Sequence, residues 1–432
     1  MQIDKKNLIL FGIVGAVALI AVIFIYGLKS SPTGPTAQKI NMTIWGFENE
    51  IAIRNIIDGY SQINPNAKIT YAQFNEDNYE QTLLNALASG QGPDIFMIRN
   101  NWLLKHYDKI SPASQSQISL SQLRKLFPQI VEQDFVVNSE TGANIYALPL
   151  YIDTLAMIYN KDTFNAKGIA VLPQTWEEFQ RIIPRLNEID LLGRLNKTAA
   201  AIGGSEKSVH NASDLLNLIM LQFGAKMISN EGRANFSKDE GKNRGLQAFN
   251  FYLQFSNPQS QYYAWNDNLQ NSIDNFSQKN TSVIFDYAST LAAIKAKNPY
   301  LNFRTGPMLQ FDKNNPINYA NYSGLAVSRQ IDSGKAAGAW NFIISALTNS
   351  QIMEQYALSS GQPPALMELI DKYSNDPELE VFTKQALTAR SWPQPNGSAT
   401  QEIFSKAIES ALSGKLSPQK ALETAENEIN SK

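Results

Sequence analysis

The stretch YALPLYIDTLAMIYNKDTF, Tyr146 to Phe164, is almost unbroken strand-forming and apolar sequence with one carboxylate, Asp153, in its middle. Strand alternation sets Tyr151, Asp153, Leu155, Met157 and Tyr159 on one face and Ile152, Thr154, Ala156 and Ile158 on the other. Both faces are mostly apolar, the pattern of a strand covered by helices on two sides. A lone acid there is costly unless it emerges at an edge or a cleft, or is bonded to backbone or to an arginine. The stretch therefore points to a buried strand of an α/β domain that ends at a polar opening.

The flanks agree. Upstream, INMTIWGF is a β-rich run, and Ile51 to Gln62 has helical period with Ile53, Ile56, Ile57 and Tyr60 on one face. AKITYAQF follows as a strand, DNYEQTLLNALASG as a helix closed by Gly90, and PDIFMI as a short strand buried on both sides. This is β-α-β-α-β, the order of a mostly parallel sheet. Downstream, Thr175 and Glu178 in LPQTWEEF form a capping box at the start of a helix that carries Trp176 and Phe179. The sequence from Leu186 to Gln261 reads as mainly helical with glycine-rich breaks, and NTSVIFDYAST and INYANYSGLAVSR read as returning strands. Helices dominate from GKAAGAWNFIISALTN to the last one, Pro418 through Ile429. Strands that return after a helical middle imply a chain that passes between two lobes more than once.

The 432 residues, 43% hydrophobic, suffice for two domains with sizeable cores. Lys+Arg 37 against Asp+Glu 39, with no long block of either sign, gives no footprint for nucleic acid. Cysteine is absent and histidine occurs only as His106 and His210, which excludes thiol nucleophiles, disulfides and cysteine zinc sites. Leu8 to Leu28 carries no charge and as a helix rises roughly 31 Å, about the thickness of a bilayer core. It is longer than the ~7–15-residue apolar core of a signal peptide, and Leu28 and Lys29 stand where small cleavage residues are needed. Residues 1–28 are thus expected to be an uncleaved transmembrane anchor. Lys5 and Lys6 before the span, against Lys29 after it, keep the N-terminus cytoplasmic and the folded part extracytoplasmic. Residues 29–39, KSSPTGPTAQK, read as a tether reaching at most about 36 Å.

Catalytic and cofactor motifs fail on inspection. GGSEK lacks the last glycine of a serine nucleophile elbow, and IDSGKAAG lacks both the first glycine and the hydroxyl of a phosphate loop. DKNNPIN has no central glycine for a calcium loop, and the two histidines are far apart in sequence with no zinc motif. No catalytic residue, metal ligand or cofactor is expected. Polar and aromatic residues instead gather at the ends of the expected strands, where open α/β sheets place ligands: Glu48 and Asn49, Asn101 and Trp102 in RNNW, Asp286 and Tyr287, and Trp392 in RSWPQPNG. Aromatic faces suit sugar rings, and Asn, Asp and Glu suit paired hydroxyls.

Together, MTIWGF, NYEQTLLNALASGQGPDIF, YALPLYIDTLAMIYNKDTF, GIAVLPQTWEEF, FSQKNTSVIFDY and LSGKLSPQKALETAENEI resemble the extracellular solute-binding protein family 1, the maltose-binding-like receptors of ABC importers. The resemblance covers nearly all of 40–432. It implies a two-lobe, periplasmic-binding-protein-like type II fold, three crossing segments, a ligand closed between lobes by hinge motion, no catalysis, and an ABC permease as partner. Carried over residue by residue from the maltose binder, the loop acid after Trp45 falls on Asn49 and an acid after the Gly-Pro-Asp turn on Asn101. An aromatic falls on Ile98, with Trp102 close by, and the crossing-strand glutamate on Asp153. The second-lobe Glu-Pro-Tyr segment has no match in GGSEKSVHNA, which points away from maltodextrin but keeps a carbohydrate cleft.

The expected lobes are 40–152 with 324–375, and 153–323 with 376–432. The expected ligand contacts are Glu48, Asn49, Asn101, Trp102, Asp153, Tyr287 and Trp392. Two other functions fit the same residues: a solute sensor coupled to a membrane signalling partner, and an anchored glycan hydrolase using Asp153. As a ligand grip, Asp153 changed to alanine is expected to weaken binding about tenfold or more while leaving ligand-free melting nearly unchanged.

Overall fold

The computed structural model describes residues 40–139, 142–238, 241–394 and 397–431. The expected anchor and tether, 1–28 and 29–39, lie outside the described residues. Among those described, no helix is long and apolar enough to cross a membrane.

In chain order the strands of the first half are β1 (Ile40–Gly46), β2 (Ala67–Gln73), β3 (Ile95–Arg99), β4 (Ile110–Ser111), β5 (Val136–Ser139), β6 (Gly142–Ile145), β7 (Leu148–Pro149), β8 (Asp153–Thr154) and β9 (Ala156–Asn160). They continue with β10 (Glu188–Ile189), β11 (Leu195–Ala200), β12 (Thr281–Asp286), β13 (Phe303–Gly306), β14 (Asn318–Asn321), β15 (Ser323–Ser328) and β16 (Ala389–Arg390). Two main sheets result. The first runs β2, β1, β3, β15, β4, with β7 also on β15; the second runs β10, β11, β12, β9, β13. β1, β2 and β3 are parallel, as the β-α-β-α-β order requires, and β15 returns antiparallel to β3.

Each sheet carries its own core. Ile44, Phe96, Leu325 and Trp340 belong to one buried cluster, and Met157, Trp176, Trp265 and Phe285 to the other. The central strands β12 and β15 are buried along their whole length, which explains their uninterrupted apolar reading. Thr175 caps the helix Trp176–Leu186 by the capping box its sequence predicts. One expectation is corrected: the mainly helical reading of Leu186 to Gln261 hides a strand hairpin, β10 and β11, of which β11 is a full member of the second sheet. Its sequence, LNKTAA, offers one β-branched residue, Thr198, among Asn, Lys and two alanines, where strand propensity asks for branched or aromatic side chains.

A third, small sheet joins the lobes: β8, β14 and β16, with β14 in the middle, antiparallel to β8 and parallel to β16. The chain passes between the cores at each of these strands: Ile152 and Leu155, Tyr319 and Ala320, and Ala389 and Trp392 lie in different clusters. β8 leads into β9, and β14 leads into β15, at the Asp153 and Ser323 boundaries. The third linking strand is Ala389–Arg390. The helix Glu380–Ala386 straddles the division, since Phe382 packs in one core and Ala386 in the other.

Candidate functional site

Both main sheets direct strand ends at the linking sheet. β1 runs into Phe47 and Glu48, β3 ends at Arg99, and β12 runs into Tyr287 and Ser289. The glycine-rich turn after β11 brings His210 and Asn211 to the same place, with Asn211 in the left-handed region at φ 56. Together with Glu76, Tyr151, Asp153, Asn321 and Gln362, these residues enclose a cavity of about 310 Å³. Its walls come from both cores and its floor from the linking sheet.

Asp153 stands in that floor, 2% exposed. Its Oδ1 accepts the backbone N–H groups of Thr154 at 2.9 Å and Ala288 at 3.0 Å, and its Oδ2 accepts that of Ser289 at 3.0 Å. Burial pushes its carboxyl up to about 7 although the three backbone donors pull it down, and the charge of Asp286 adds to the rise. The carboxylate therefore ties β8 to the turn after β12 while still facing the cavity.

Asp286, 1% exposed, organises the second-lobe wall. Its Oδ1 accepts from Asn211 Nδ2 at 2.9 Å, Tyr287 N at 2.8 Å and Thr290 Oγ1 at 2.7 Å, and its Oδ2 lies 2.8 Å from His210 Nδ1. Burial lowers the proton affinity of His210. The bond and charge of Asp286, with the charges of Glu206 and Asp214, outweigh it and leave the imidazole above its usual value. Tyr287 donates to Asp214 Oδ2 at 2.6 Å, and burial raises the Asp214 carboxyl to about 6.

On the first-lobe wall, Arg99 forms an ion pair with Glu76, donates to Asn321 Oδ1 at 2.7 Å, and lies 5.0 Å from the centre of the Phe47 ring. Glu48 is half-buried, and desolvation raises its carboxyl despite a hydrogen bond from Tyr151 and the nearby charge of Arg99. Gln362 Oε1 is shielded from solvent and has no hydrogen-bond partner among the described residues.

Of the residues chosen from sequence, Glu48, Asp153 and Tyr287 line the cavity. The structure places the other four outside its lining. Asn49 is the N-cap of the helix Glu50–Ile63, accepting from Ile51 N at 2.8 Å, because a short polar side chain there satisfies an otherwise free helix-end donor. Trp102 is buried between Tyr79, 6.5 Å away, and His106, 6.0 Å away. Trp392 packs in the second core against Phe236 and Phe404. The carbonyl of Asn101 accepts from Gln394 N at 3.2 Å, an inter-lobe seam that Ser391 extends by donating to Asp134 Oδ1 at 2.5 Å.

The sequence reading passed over Phe47, Glu76, Arg99, Tyr151, His210, Asn211, Ser289, Asn321 and Gln362. Arg99 carried a usable sign, since it ends a predicted buried strand. His210 and Gln362 reach the cavity from irregular segments, which strand-end reasoning does not address.

The chain matches the family described as bacterial extracellular solute-binding protein over residues 48–353. It is 22% identical over 342 residues to a maltotriose-binding protein of Pyrococcus abyssi, covering 77% of this chain and 66% of that relative's length. Among solved structures, the sugar-binding protein MalE of Xanthomonas citri superposes with a TM-score of 0.74 at 17% identity, over 90% of this chain and 96% of that one. The cyclic α-maltosyl-1,6-maltose binding protein of Arthrobacter globiformis gives 0.72 at 17% identity, over 91% and 98%. At such identities the structural likeness speaks for the fold alone.

Proposed function

This chain belongs to the bacterial extracellular solute-binding protein family, and from that premise we propose that it captures a mono- or short oligosaccharide between its lobes and delivers it to an ABC permease. The observation that carries the reading is the cavity itself. Phe47, Glu48 and Arg99 from one lobe and His210, Tyr287 and Ser289 from the other face one 310 Å³ space above a three-stranded hinge. That size suits a small solute, and aromatic rings among directed hydrogen-bonding groups suit a sugar. The relatives and fold neighbours named above are sugar binders, which supports the solute class.

Binding energy made by both walls at once favours the closed arrangement, so ligand shifts the lobe equilibrium rather than reacting. In this reading the lobes are those built on the two main sheets, with Glu48, Asp153 and Tyr287 at the ligand. The apolar segment Leu8–Leu28 tethers the receptor to a membrane, with the folded part outside the cytoplasm. Isothermal titration over a panel of mono- and disaccharides tests the solute class. At least one sugar is expected to bind, and a panel without any binder, beside a non-sugar solute that does bind, overturns it. Loss of uptake of that sugar on deleting the protein tests delivery.

A further inference from the structure

The charge inventory of the cavity is one-sided. Its lining holds the carboxylates of Glu48, Glu76 and Asp153 against a single guanidinium, Arg99, and no lysine. Arg99 is already committed to Glu76, Asn321 and the face of Phe47. Behind the lining stand more acids, Asp214 and Asp286, and Glu206, whose Oε1 accepts from Ser213 N at 2.8 Å. The shift of His210 toward its protonated form registers this negative field from the second lobe.

Within the lining the acids are not equivalent. Asp153 is occupied by three backbone donors and Glu76 by Arg99. Glu48, beside Tyr151 in the same lining, has no ion pair among the described residues. Gln362 Oε1, on the same wall, is a second acceptor with nothing donated to it. With Arg99 held by Glu76 and Asn321, and His210 by Asp286, the lining has no spare cation among the described residues, while Glu48 remains an acceptor without an ion pair. A neutral polyol satisfies the hydrogen bonds, but lobe closure over it strips water from Glu48 and adds no charge to that of the nearby Arg99, which Glu76 already pairs; that is expensive. A ligand ammonium removes that cost and forms a charge-assisted bond.

We propose that the solute carries a protonated amine seated on Glu48, beside hydroxyls that reach Gln362: an amino sugar or a short oligosaccharide containing one. This rests on the carbohydrate reading above and narrows it. The test is isothermal titration of the full chain in detergent with glucosamine, N-acetylglucosamine and glucose, the β-1,4-linked dimer of each, and spermidine. The amine-bearing sugar of a matched set is expected to bind about tenfold or more tighter than its neutral and N-acetylated counterparts. Glu48→Gln, checked for unchanged ligand-free melting, is expected to bring that ratio close to one. A neutral or N-acetylated sugar that binds as tightly as the amine overturns this inference and leaves the carbohydrate reading standing. Retention of the preference in Glu48→Gln overturns the assignment to Glu48. Binding of spermidine with no sugar bound overturns the carbohydrate reading instead, while the absence of any binder overturns both.

Discussion

At the scale of the residue, Asp153 changes meaning once its partners are known. As a ligand grip alone its removal spares the empty protein. As the acceptor of three buried backbone N–H groups it does not, because alanine leaves those donors without partners at about 1–3 kcal/mol each. Asp153→Ala is therefore expected to lower the ligand-free melting temperature markedly, with Asp153→Asn, which keeps one good acceptor oxygen, intermediate. An unchanged melting curve for alanine returns the residue to a pure binding role. The buried acids also fix the sign of a pH effect. Asp134 and Asp214 are raised to about 6 and Asp153 to about 7, so the native state holds protons that the unfolded chain releases from about pH 4 upward. Stability falls over that interval. His210, raised by Asp286, acts in the same direction: its contribution is full below its unfolded value and lost as pH rises through its folded one. The ligand-free protein is expected to melt about 2 °C or more higher near pH 5.5 than near pH 8 at fixed ionic strength. Sequence had marked Asp153 by its place in an apolar strand. What it accepts from, Ala288 and Ser289, belongs to a turn far along the chain and leaves no local trace.

At the scale of the element, local chemistry was read well where it was local. The Thr175–Glu178 capping box, the Gly90 stop and the buried strands PDIFMI and NTSVIFDY all follow from neighbours a few residues apart. Thr175→Ala is expected to cost about 1 kcal/mol, measurable as a small downward shift in melting temperature. Where propensity and tertiary demand disagree, as in β11, the sheet prevailed and the sequence misled. Gly324 shows how tightly such a demand is set. A Cβ there would stand 2.6 Å from the Leu148 carbonyl oxygen and 2.8 Å from Phe135 Cε2. Gly324→Ala should force β15 away from β7 and cost about 1–3 kcal/mol. A thermal melt equal to that of the parent protein contradicts this packing.

At the scale of the whole molecule, the hinge gives the mechanical expectation. Two lobes joined by three short strands close by rotation, so the radius of gyration from solution scattering is expected to fall on saturation with ligand. No change contradicts capture between moving lobes. That the chain passes between lobes more than once was legible in strands returning late in the chain, whereas a two-residue strand such as β16 has no pattern to recognise. The order of the passages has a consequence for biogenesis. β3 meets β15 only after the chain has completed β8 through β14, so during synthesis or export the trio β2, β1, β3 waits with the edge of β3 (5 residues) unpaired. The first lobe cannot finish before much of the second has been delivered. Such delayed closure slows folding and leaves a strand edge on which chaperones can act or neighbouring chains can aggregate. A nascent chain arrested before Ser323 would therefore stay export-competent and protease-sensitive, and release of the β15 segment is the event that ends that vulnerability.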